Sequence, residues 1–236
     1  MSDHSSNAEK TAPETSLESL RGKIDAIDNE LLQRLEARQA LSRQIATKKV
    51  LGSNVFRPDR EVSLLRNLIA SHPPIDPRLI MGLWRHIISA SIAEQKPDYT
   101  IAHSHEAGQL ADYHSAGYMQ CLPKADVLSA LACLKSKQAD CVIITQDELP
   151  GIITELGETG TDGTGCFIAA SIGFLQLPAA QRGYIICRDM PADSGDDIIV
   201  IYGEDGSCHH LGKQDSDGTL PCGVIVGQYP RPLTIS

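Results

Sequence analysis

The chain has 236 residues, of which 42% are hydrophobic and 22% are charged, an ordinary composition for a globular protein of one or two domains. No stretch approaches the ~20 consecutive apolar residues that cross a bilayer, and the polar N-terminus has no apolar leader segment. We therefore expect a cytoplasmic protein that does not enter a membrane, with a disordered tail over residues 1–14.

The formal net charge of −9 is unevenly distributed along the chain. Residues 1–100 carry 14 basic and 13 acidic side chains, a balance of +1, whereas residues 101–236 carry 7 and 17, a balance of −10. Affinity for nucleic acid depends on many Lys and Arg contacts to phosphates, so we expect no such partner. The seven cysteines lie between Cys121 and Cys222, and their odd number without a Cys-x-x-Cys pair predicts reduced thiols and no structural zinc.

The first hundred residues predict three helices. Thr15-Ser16-Leu17-Glu18 has the form of a capping box, and the apolar residues that follow recur at threes and fours, which predicts one helix of about 35 residues ending near Leu51. Pro58 in the first turn begins a second, shorter helix that runs to about Ser71. Asp76 as the cap and the proline after it begin a third helix, which ends near Gln95.

After residue 97 the pattern changes to short apolar runs that alternate with helical stretches, which predicts a small α/β domain over residues 98–236. The predicted strands are Tyr99–Ala102, Cys141–Thr145, Tyr184–Cys187, Ile198–Tyr202 and Val224–Val226, and Lys124–Lys137 is a predicted helix. The glycine-rich segment Gly157–Gly165 lacks the Gly-Lys-Ser/Thr of a phosphate loop, so we interpret it as a flexible loop.

Basic side chains interrupt the apolar stripe of the first helix. Steps of seven from Ile24 through Leu31 reach Arg38, and Lys49, eleven residues further on, returns to within ~20° of the same face about 16 Å along the helix. Both side chains can therefore point into one cavity. The alternative for each of them is that its long stem extends to solvent from the edge of the stripe.

Spacing also predicts a homodimer. Arg21 is about 25 Å from Arg38 along the helix and is rotated by about 100°, so one straight helix cannot bring both to a small ligand, whereas an antiparallel second copy can. A long amphipathic helix with only two partners also needs more apolar cover than one chain provides. On the third helix, Ser91 and Gln95 are four residues apart and share a face, either toward the same cavity or as an ordinary polar helix end.

At this point the motifs resemble a known family. They are Leu20-Arg21-Gly22-Lys23-Ile24-Asp25-Ala26-Ile27-Asp28, Glu36-Ala37-Arg38, Lys48-Lys49, Asp59-Arg60-Glu61 and Ser91-Ile92-Ala93-Glu94-Gln95. In this order, and nearly without gaps over residues 15–97, they resemble the all-helical chorismate mutase domain, the type also fused to prephenate dehydratase. The resemblance implies an α plus α/β fold, in which an intertwined dimeric three-helix domain precedes the small α/β domain.

The resemblance implies a role for four of the residues singled out by spacing. Arg38 and the Arg21 of a second copy would bind the two carboxylates of chorismate. Lys49 and Gln95 would donate to its ether oxygen. The reaction, the rearrangement of chorismate to prephenate in aromatic amino-acid biosynthesis, involves one substrate and no nucleophile, so we expect neither a cofactor nor a metal.

Four further residues take roles only from the resemblance. Glu61 would accept a hydrogen bond from the ring hydroxyl, and Ser91 and Arg60 would support the region of the substrate carboxylate. Arg57 stands where a bifunctional member of the family has an Asp, and it could add a carboxylate contact.

The second half is less informative. It faintly resembles a prephenate dehydratase domain in the order of three segments, Ala139–Ile144, Arg182–Arg188 and Ser194–Asp197. Residues 98–236 are, however, too short for a complete domain of this kind. In addition, Arg182-Gly183-Tyr184 stands where such domains have Thr-Arg-Phe. We therefore expect a degenerate dehydratase-like or ligand-sensing domain. Cys208-His209-His210 and His103-x-His105 are interpreted as scattered side chains and not as a metal site, and Cys141 and Cys187 as core residues.

Three alternatives remain open from the sequence. An isochorismate pyruvate lyase uses a similar helical dimer and basic pocket, although Glu61 favours the ring hydroxyl of chorismate. A bifunctional mutase and dehydratase would need the missing dehydratase residues. The third alternative is not an enzyme: the helices would be a dimerisation module for a C-terminal sensor of aromatic ligands.

Overall fold

A computed structural model describes residues 16–48, 54–158, 165–172, 182–212 and 221–232. The chain divides into two compact units, one up to Lys49 and one from Val50 onward. The helices are α1 (Leu17–Lys48), α2 (Pro58–Ser71), α3 (Pro77–Gln95), α4 (Gly108–Ser115), α5 (Val127–Lys135) and α6 (Leu149–Ile152). The strands are β1 (Thr100–Ser104), β2 (Gln120–Lys124), β3 (Cys141–Thr145), β4 (Gly157–Glu158), β5 (Gly165–Ile172), β6 (Gly183–Cys187), β7 (Asp197–Gly203), β8 (Cys208–Gly212) and β9 (Gly223–Pro230).

The helix α1 is the described part of the first unit. It has 32 residues, and its last predicted turn, together with Thr15 and the predicted N-terminal tail, lies outside the described residues. Ser16 caps the helix, since its Oγ accepts from the backbone N–H of Ser19 at 3.2 Å. The capping box in the sequence predicts Thr15 as the cap, one residue earlier. Eight of its aliphatic side chains are 43–63% exposed; they are Leu17, Leu20, Ile24, Ile27, Leu31, Leu32, Leu41 and Ile45.

The second and third helices confirm the predicted boundaries. Pro58 is the first residue of α2, where its missing N–H costs no hydrogen bond, and the helix ends at Ser71 as predicted. Asp76 caps α3, since its carboxylate accepts from the backbone N–H of Arg78 at 2.8 Å. The two helices pack against each other through an apolar cluster formed by Val62, Leu65, Ile80 and Met81, with Trp84 against it.

The strands form one mixed sheet in the order β2-β1-β3-β6-β5-β9-β7-β8, with β4 paired to β5 beside this path. The strands β1, β2 and β3 are mutually parallel where they pair, and α4 and α5 connect them in sequence. The remaining pairs are antiparallel, except for the short parallel contact between β5 and β9 at Ile168 and Gly227. The predicted α/β character of residues 98–236 is confirmed in this sheet.

Both faces of the central strands are covered, and this explains their continuous apolar sequences. On one face, Val142 and Ile144 of β3 pack with Leu131 and Leu134 of α5. The other face carries Cys141 and Ile143 of β3, Leu110 of α4, Phe56 and Ile92, the last of these on α3. The third helix is therefore part of the layer that covers the sheet.

Cys141 and Cys187 are core residues, as predicted, because they lie opposite each other on neighbouring strands and are at most 2% exposed. Burial raises the pKa of the Cys141 thiol to about 12, so the thiol stays protonated at neutral pH. Four strands were not predicted, β2, β4, β5 and β8. Of the glycine-rich segment predicted as a loop, residues 157–158 form β4 and residue 165 begins β5, while residues 159–164 lie outside the described residues.

Candidate active site

Two of the predicted site residues of the first unit, Arg21 and Arg38, lie on α1. Arg21 is exposed and Arg38 is half-buried, 17 residues further along the same helix. At 1.5 Å per residue this separation is about 25 Å, so one copy of α1 does not bring the two guanidinium groups together. Lys49 lies outside the described residues, and its role stays a prediction.

At the start of α2, Arg57 is held by a near neighbour. Its Nε and Nη2 donate to the two carboxylate oxygens of Asp59 at 3.0 and 2.7 Å, while its own side chain is 52% exposed. Partial burial by itself raises the pKa of Asp59, but the hydrogen bonds and the charge of Arg57 outweigh it and keep that pKa below its usual range. The predicted contact of Arg57 with a substrate carboxylate would have to compete with this pair.

The next two residues of α2 point to different environments. Arg60 is exposed, whereas the side chain of Glu61 is 16% exposed and meets Arg85 of α3, with 2.5 Å between Glu61 Oε1 and Arg85 Nη1. Only 8% of Arg85 is exposed, so this is a largely buried ion pair. A buried guanidinium without such a partner would carry a large desolvation cost.

A chain of hydrogen bonds continues from Arg85 toward the sheet. Arg85 Nε donates to Ser89 Oγ at 3.1 Å, and Ser89 Oγ donates to the carbonyl oxygen of His114 at the end of α4 at 2.9 Å. Ser89 is fully buried. The carboxylate of Glu61 is thus oriented by groups that extend from α3 to α4.

Arg85 was missed by the sequence reasoning, although a signal was present. It falls in the apolar stripe of α3 that runs through Met81, Ile88 and Ile92, the same pattern that singled out Arg38 on α1. A charged residue at such a position requires a partner of opposite charge. The partner that the structure shows, Glu61, lies farther along the chain than the carboxylates of Asp76 and Glu94, so spacing alone does not identify it.

Ser91 and Gln95 share one face of α3, as their spacing predicts. Gln95 Nε2 donates to the carbonyl oxygen of Ser91 at 3.0 Å, and Ser91 Oγ donates to the carbonyl oxygen of Ile87 at 2.8 Å. The structure therefore places these two residues together on α3 and brings Glu61 to Arg85.

The segment that faintly resembles a dehydratase uses its polar atoms internally. Asp197 is fully buried and accepts from the backbone N–H of Ser194 at 2.9 Å, from the Ser194 hydroxyl and from Gln228 Nε2 at 2.5 Å. Three donors satisfy this carboxylate, which is how a buried charge is retained in a fold. The Ser194–Asp197 segment thus has a structural explanation in the turn before β7.

Across the described residues, no three His, Cys, Asp or Glu side chains are grouped so that they could hold a metal ion. On β8, Cys208 Sγ lies 3.5 Å from His210 Nε2. Within the same part of the chain, no helix is both long and apolar enough to span a membrane.

Comparison with known proteins identifies one part of the chain. Residues 20–96, about one third of the sequence, match the family model of type II chorismate mutases, and this match supports chorismate mutase activity, an isomerisation, in general terms. The matched range covers most of α1 and all of α2 and α3. No curated protein and no solved structure matches the chain.

Proposed function

We propose that this protein converts chorismate to prephenate and that residues 15–97 carry the reaction. The observation that carries the proposal is the match of residues 20–96 to the type II chorismate mutases. Residues 98–236 would then form an accessory domain, either degenerate dehydratase-like or regulatory. We also place the reaction in the cytoplasm, in keeping with seven cysteines that are all unpaired.

The rearrangement requires a particular substrate shape. Chorismate must adopt a compact conformer in which the two reacting carbons approach each other, and two fixed guanidinium groups can select that conformer by binding its two carboxylates. In our proposal these groups are Arg38 and the Arg21 of a second copy. Arg60, Ser91 and Arg57 would support the carboxylate region.

The rate enhancement would come from charge stabilisation. As the C–O bond breaks, negative charge grows on the ether oxygen, and donors fixed in advance stabilise it more in the transition state than in the ground state. We assign this role to the Lys49 ammonium and the Gln95 amide. Deleting one such donor costs about 3 kcal/mol in comparable sites.

The position of Glu61 fits the role of accepting a hydrogen bond from the ring hydroxyl. One carboxylate oxygen, Oε1, binds Arg85, and no other group of the described residues donates to Glu61. The second oxygen, Oε2, can therefore accept from the substrate while Arg85 holds the carboxylate in place. This geometry favours a mutase over an isochorismate pyruvate lyase, because the ring hydroxyl would have a built acceptor.

The exposure of α1 supports a homodimer. Eight aliphatic side chains along its length are 43–63% exposed in the single chain, and full burial of one such side chain contributes about 1.5–3 kcal/mol. An antiparallel α1 from a second copy would cover this face. It would also bring an Arg21 to each Arg38, which a single α1 does not do.

The test is a turnover assay on the full chain. Loss of chorismate absorbance and appearance of prephenate are measured, with isochorismate and prephenate offered as substrates in parallel reactions. We expect consumption of chorismate alone. Release of pyruvate from isochorismate would favour the lyase, formation of phenylpyruvate from prephenate would show a second activity, and no turnover of any substrate would leave the helices as a dimerisation module.

A further inference from the structure

One carboxylate, that of Asp140, joins the C-terminal end of α3 to the sheet. Lys96 follows the last residue of the helix, and its Nζ lies 2.5 Å from Asp140 Oδ1. The second oxygen, Oδ2, accepts from the backbone N–H of Thr100 at 3.0 Å, and the backbone N–H of Asp140 donates to the carbonyl oxygen of Thr100 at 2.8 Å. Asp140 therefore binds the segment that leaves α3 with three of its own atoms.

The surroundings of Asp140 make it a fixed point of the sheet. Its side chain is only 16% exposed, and partly buried ion pairs are screened by salt much less than exposed ones. A second cation, Arg188, places its Nη2 3.7 Å from Asp140 Oδ1. This guanidinium is itself held, since Nη1 donates to the carbonyl oxygens of Leu134 and Ala139 at 3.1 and 2.7 Å.

Gln95 is the last residue of α3 and lies directly beside this contact. The carbonyl groups of the last turn of a helix lack partners within the helix, so helix ends open easily unless something holds them. In this protein the backbone N–H of Lys96 donates to the carbonyl oxygen of Ile92 at 2.8 Å and closes the last turn. The backbone N–H of Tyr99 donates to the carbonyl oxygen of Lys96 at 3.0 Å. Lys96 is thus bound through its backbone and through its side chain.

The side chain of Gln95 follows the last turn of α3. It is half-buried, and its Nε2 donates to the carbonyl oxygen of Ser91, one turn earlier, at 3.0 Å. Movement of this turn would therefore carry the amide with it. A donor that acts in a transition state must be held within about 0.5 Å of its place, and a misplacement of about 1 Å can cost about 100-fold in rate.

We propose that Asp140 is a positioning residue for the mutase reaction. By holding Lys96, it keeps the last turn of α3 closed and the Gln95 amide directed at the ether oxygen of chorismate. This inference rests on the proposed function, in which Gln95 is a donor to that oxygen. Asp140 lies outside the residues 20–96 that match the family, so the second half of the chain would take part in the reaction without contacting the substrate.

The first test is the kinetics of Asp140→Asn in the full chain. The exchange keeps the size of the side chain and an oxygen that can accept from Thr100, but it removes the charge that binds Lys96. We expect kcat for chorismate to fall about 10–100-fold, because the Gln95 amide is misplaced. KM should change less than about 2-fold, because Gln95 acts on the transition state and other residues bind the substrate carboxylates. A wild-type kcat in this variant would overturn the proposal.

The matched control is Glu155→Gln, which makes the corresponding exchange in the exposed ion pair with Lys135. Exposed pairs contribute little to stability, so kcat and KM should both stay at their wild-type values. A fall in kcat equal to that of Asp140→Asn would overturn the proposal, because the loss would then follow from removing any carboxylate of the second half.

Variants of Lys96 separate its contact from that of Arg188. Lys96→Met should reproduce the loss of kcat, whereas Lys96→Arg keeps the charge and should retain most of the wild-type kcat. Lys96 is 36% exposed, so Lys96→Met also serves as the test should Asp140→Asn fail to fold. A wild-type kcat in Lys96→Met would overturn the proposal, because Asp140 would then act through another group.

A double variant shows whether Asp140 acts through Gln95. In a chain that carries Gln95→Ala, the further exchange Asp140→Asn should change kcat by less than about 2-fold, because the donor that it positions is already absent. The assays are run at a temperature at which circular dichroism shows every variant to be folded. A general loss of structure would lower kcat in both backgrounds, so independent losses that multiply would overturn the proposal.

The position of Gln95 can also be followed without turnover. In a chain labelled with 15N at glutamine side chains, the Gln95 amide signal is identified by its absence in Gln95→Ala. We expect this signal to move or broaden in Asp140→Asn and in Lys96→Met, and to stay in place in Glu155→Gln. An unchanged signal in the first two variants would overturn the proposal. Movement of the signal in a wild-type chain that does not convert chorismate would contradict the proposed function but leave Asp140 as the residue that positions Gln95.

Discussion

Charged side chains in otherwise apolar stripes mark the helices of this protein. Arg38 interrupts the stripe of α1 and Arg85 that of α3, and at Arg85 the structure shows how the charge is tolerated, through Glu61 and Ser89. Removing water from a guanidinium is costly, so an arginine in an apolar stripe requires an acceptor or a carboxylate that binds its guanidinium group. The sequence pattern identifies the unusual position but not the partner, because the partner comes from another element.

The clearest prediction for a single residue concerns Lys49. Lys49→Ala removes the proposed ammonium donor to the ether oxygen, so kcat for chorismate should fall by about 10²–10³-fold. Steady-state kinetics on the full chain measure the change. The neighbouring exchange Lys48→Ala, at the exposed last residue of α1, is the control and should leave turnover unchanged. Equal kinetics for both variants would remove Lys49 from the mechanism.

A second prediction concerns the stability given by Arg85. Arg85→Gln leaves Glu61 without its cation, and breaking a largely buried pair in this way should lower the free energy of unfolding by about 3–5 kcal/mol. Urea denaturation measures this change in the free energy of unfolding. The control is Arg78→Gln, which breaks an exposed pair with Asp76 on the same helix and should leave the unfolding midpoint nearly unchanged. A loss no larger than that of the control would show that Glu61 is solvated and not held by Arg85.

At the scale of elements, the helices could be predicted because their signals are local. Both α2 and α3 begin at a proline, as the sequence predicts, and Asp76 caps the N-terminus of α3. The strand β3 could be predicted as well, because coverage on both faces makes it a continuous apolar run.

The remaining strands depend on partners distant in sequence. The strand β8 has the sequence Cys-His-His-Leu-Gly and pairs with β7 at the edge of the sheet, so its own pattern carries little signal. The strand β5 is apolar and buried, but the glycine-rich segment before it is typical of a loop, and the sequence therefore predicts a loop up to Gly165, where β5 begins. For the same reason the ion pair of Glu61 could not be derived from spacing, since α2 and α3 meet only in the fold.

The exposed face of α1 gives a prediction about assembly. Leu31→Lys places a charge in the middle of that face, so it should shift the chain from dimer to monomer. Light scattering coupled to size exclusion gives the mass in solution. Gln33→Lys introduces the same charge about 160° around the helix and should leave the dimer intact. A wild-type chain that is monomeric at all concentrations would contradict the dimer directly.

In the whole molecule, α3 belongs both to the helical region and to the layer that covers the sheet, although the predicted domain boundary at residue 97 separates these two parts. It lies within the region that matches the mutases, and its Ile92 also packs in the core cluster on one face of the sheet. At its C-terminal end, Lys96 Nζ lies 2.5 Å from a carboxylate oxygen of Asp140, next to β3. The predicted domain boundary at residue 97 therefore does not separate two independently packed parts of the chain.

This continuity predicts the behaviour of a shortened chain. Ending the protein after Pro97 would uncover Phe56 and Ile92, which are 2% and 3% exposed in the full chain, and would remove Asp140 from Lys96. Loss of such burial costs about 1.5–3 kcal/mol per side chain, so residues 1–97 should unfold at a clearly lower temperature than the full chain. Circular dichroism at 222 nm measures the melting temperature of the shortened chain and of the full chain. An equal melting temperature would show that the helices do not need the sheet.

The most direct test of the proposed mutase with shared sites is complementation between two inactive variants. Arg21→Ala and Lys49→Ala are produced separately and then together in one cell, and chorismate turnover is measured for each preparation. In a symmetric dimer each site takes Arg21 from one copy and Lys49 from the other, so a mixed dimer keeps one intact site. With half of the dimers mixed, turnover should recover to about a quarter of the wild-type value. Two inactive variants that stay inactive together would contradict the shared site, and full activity of either variant alone would contradict its residue's role.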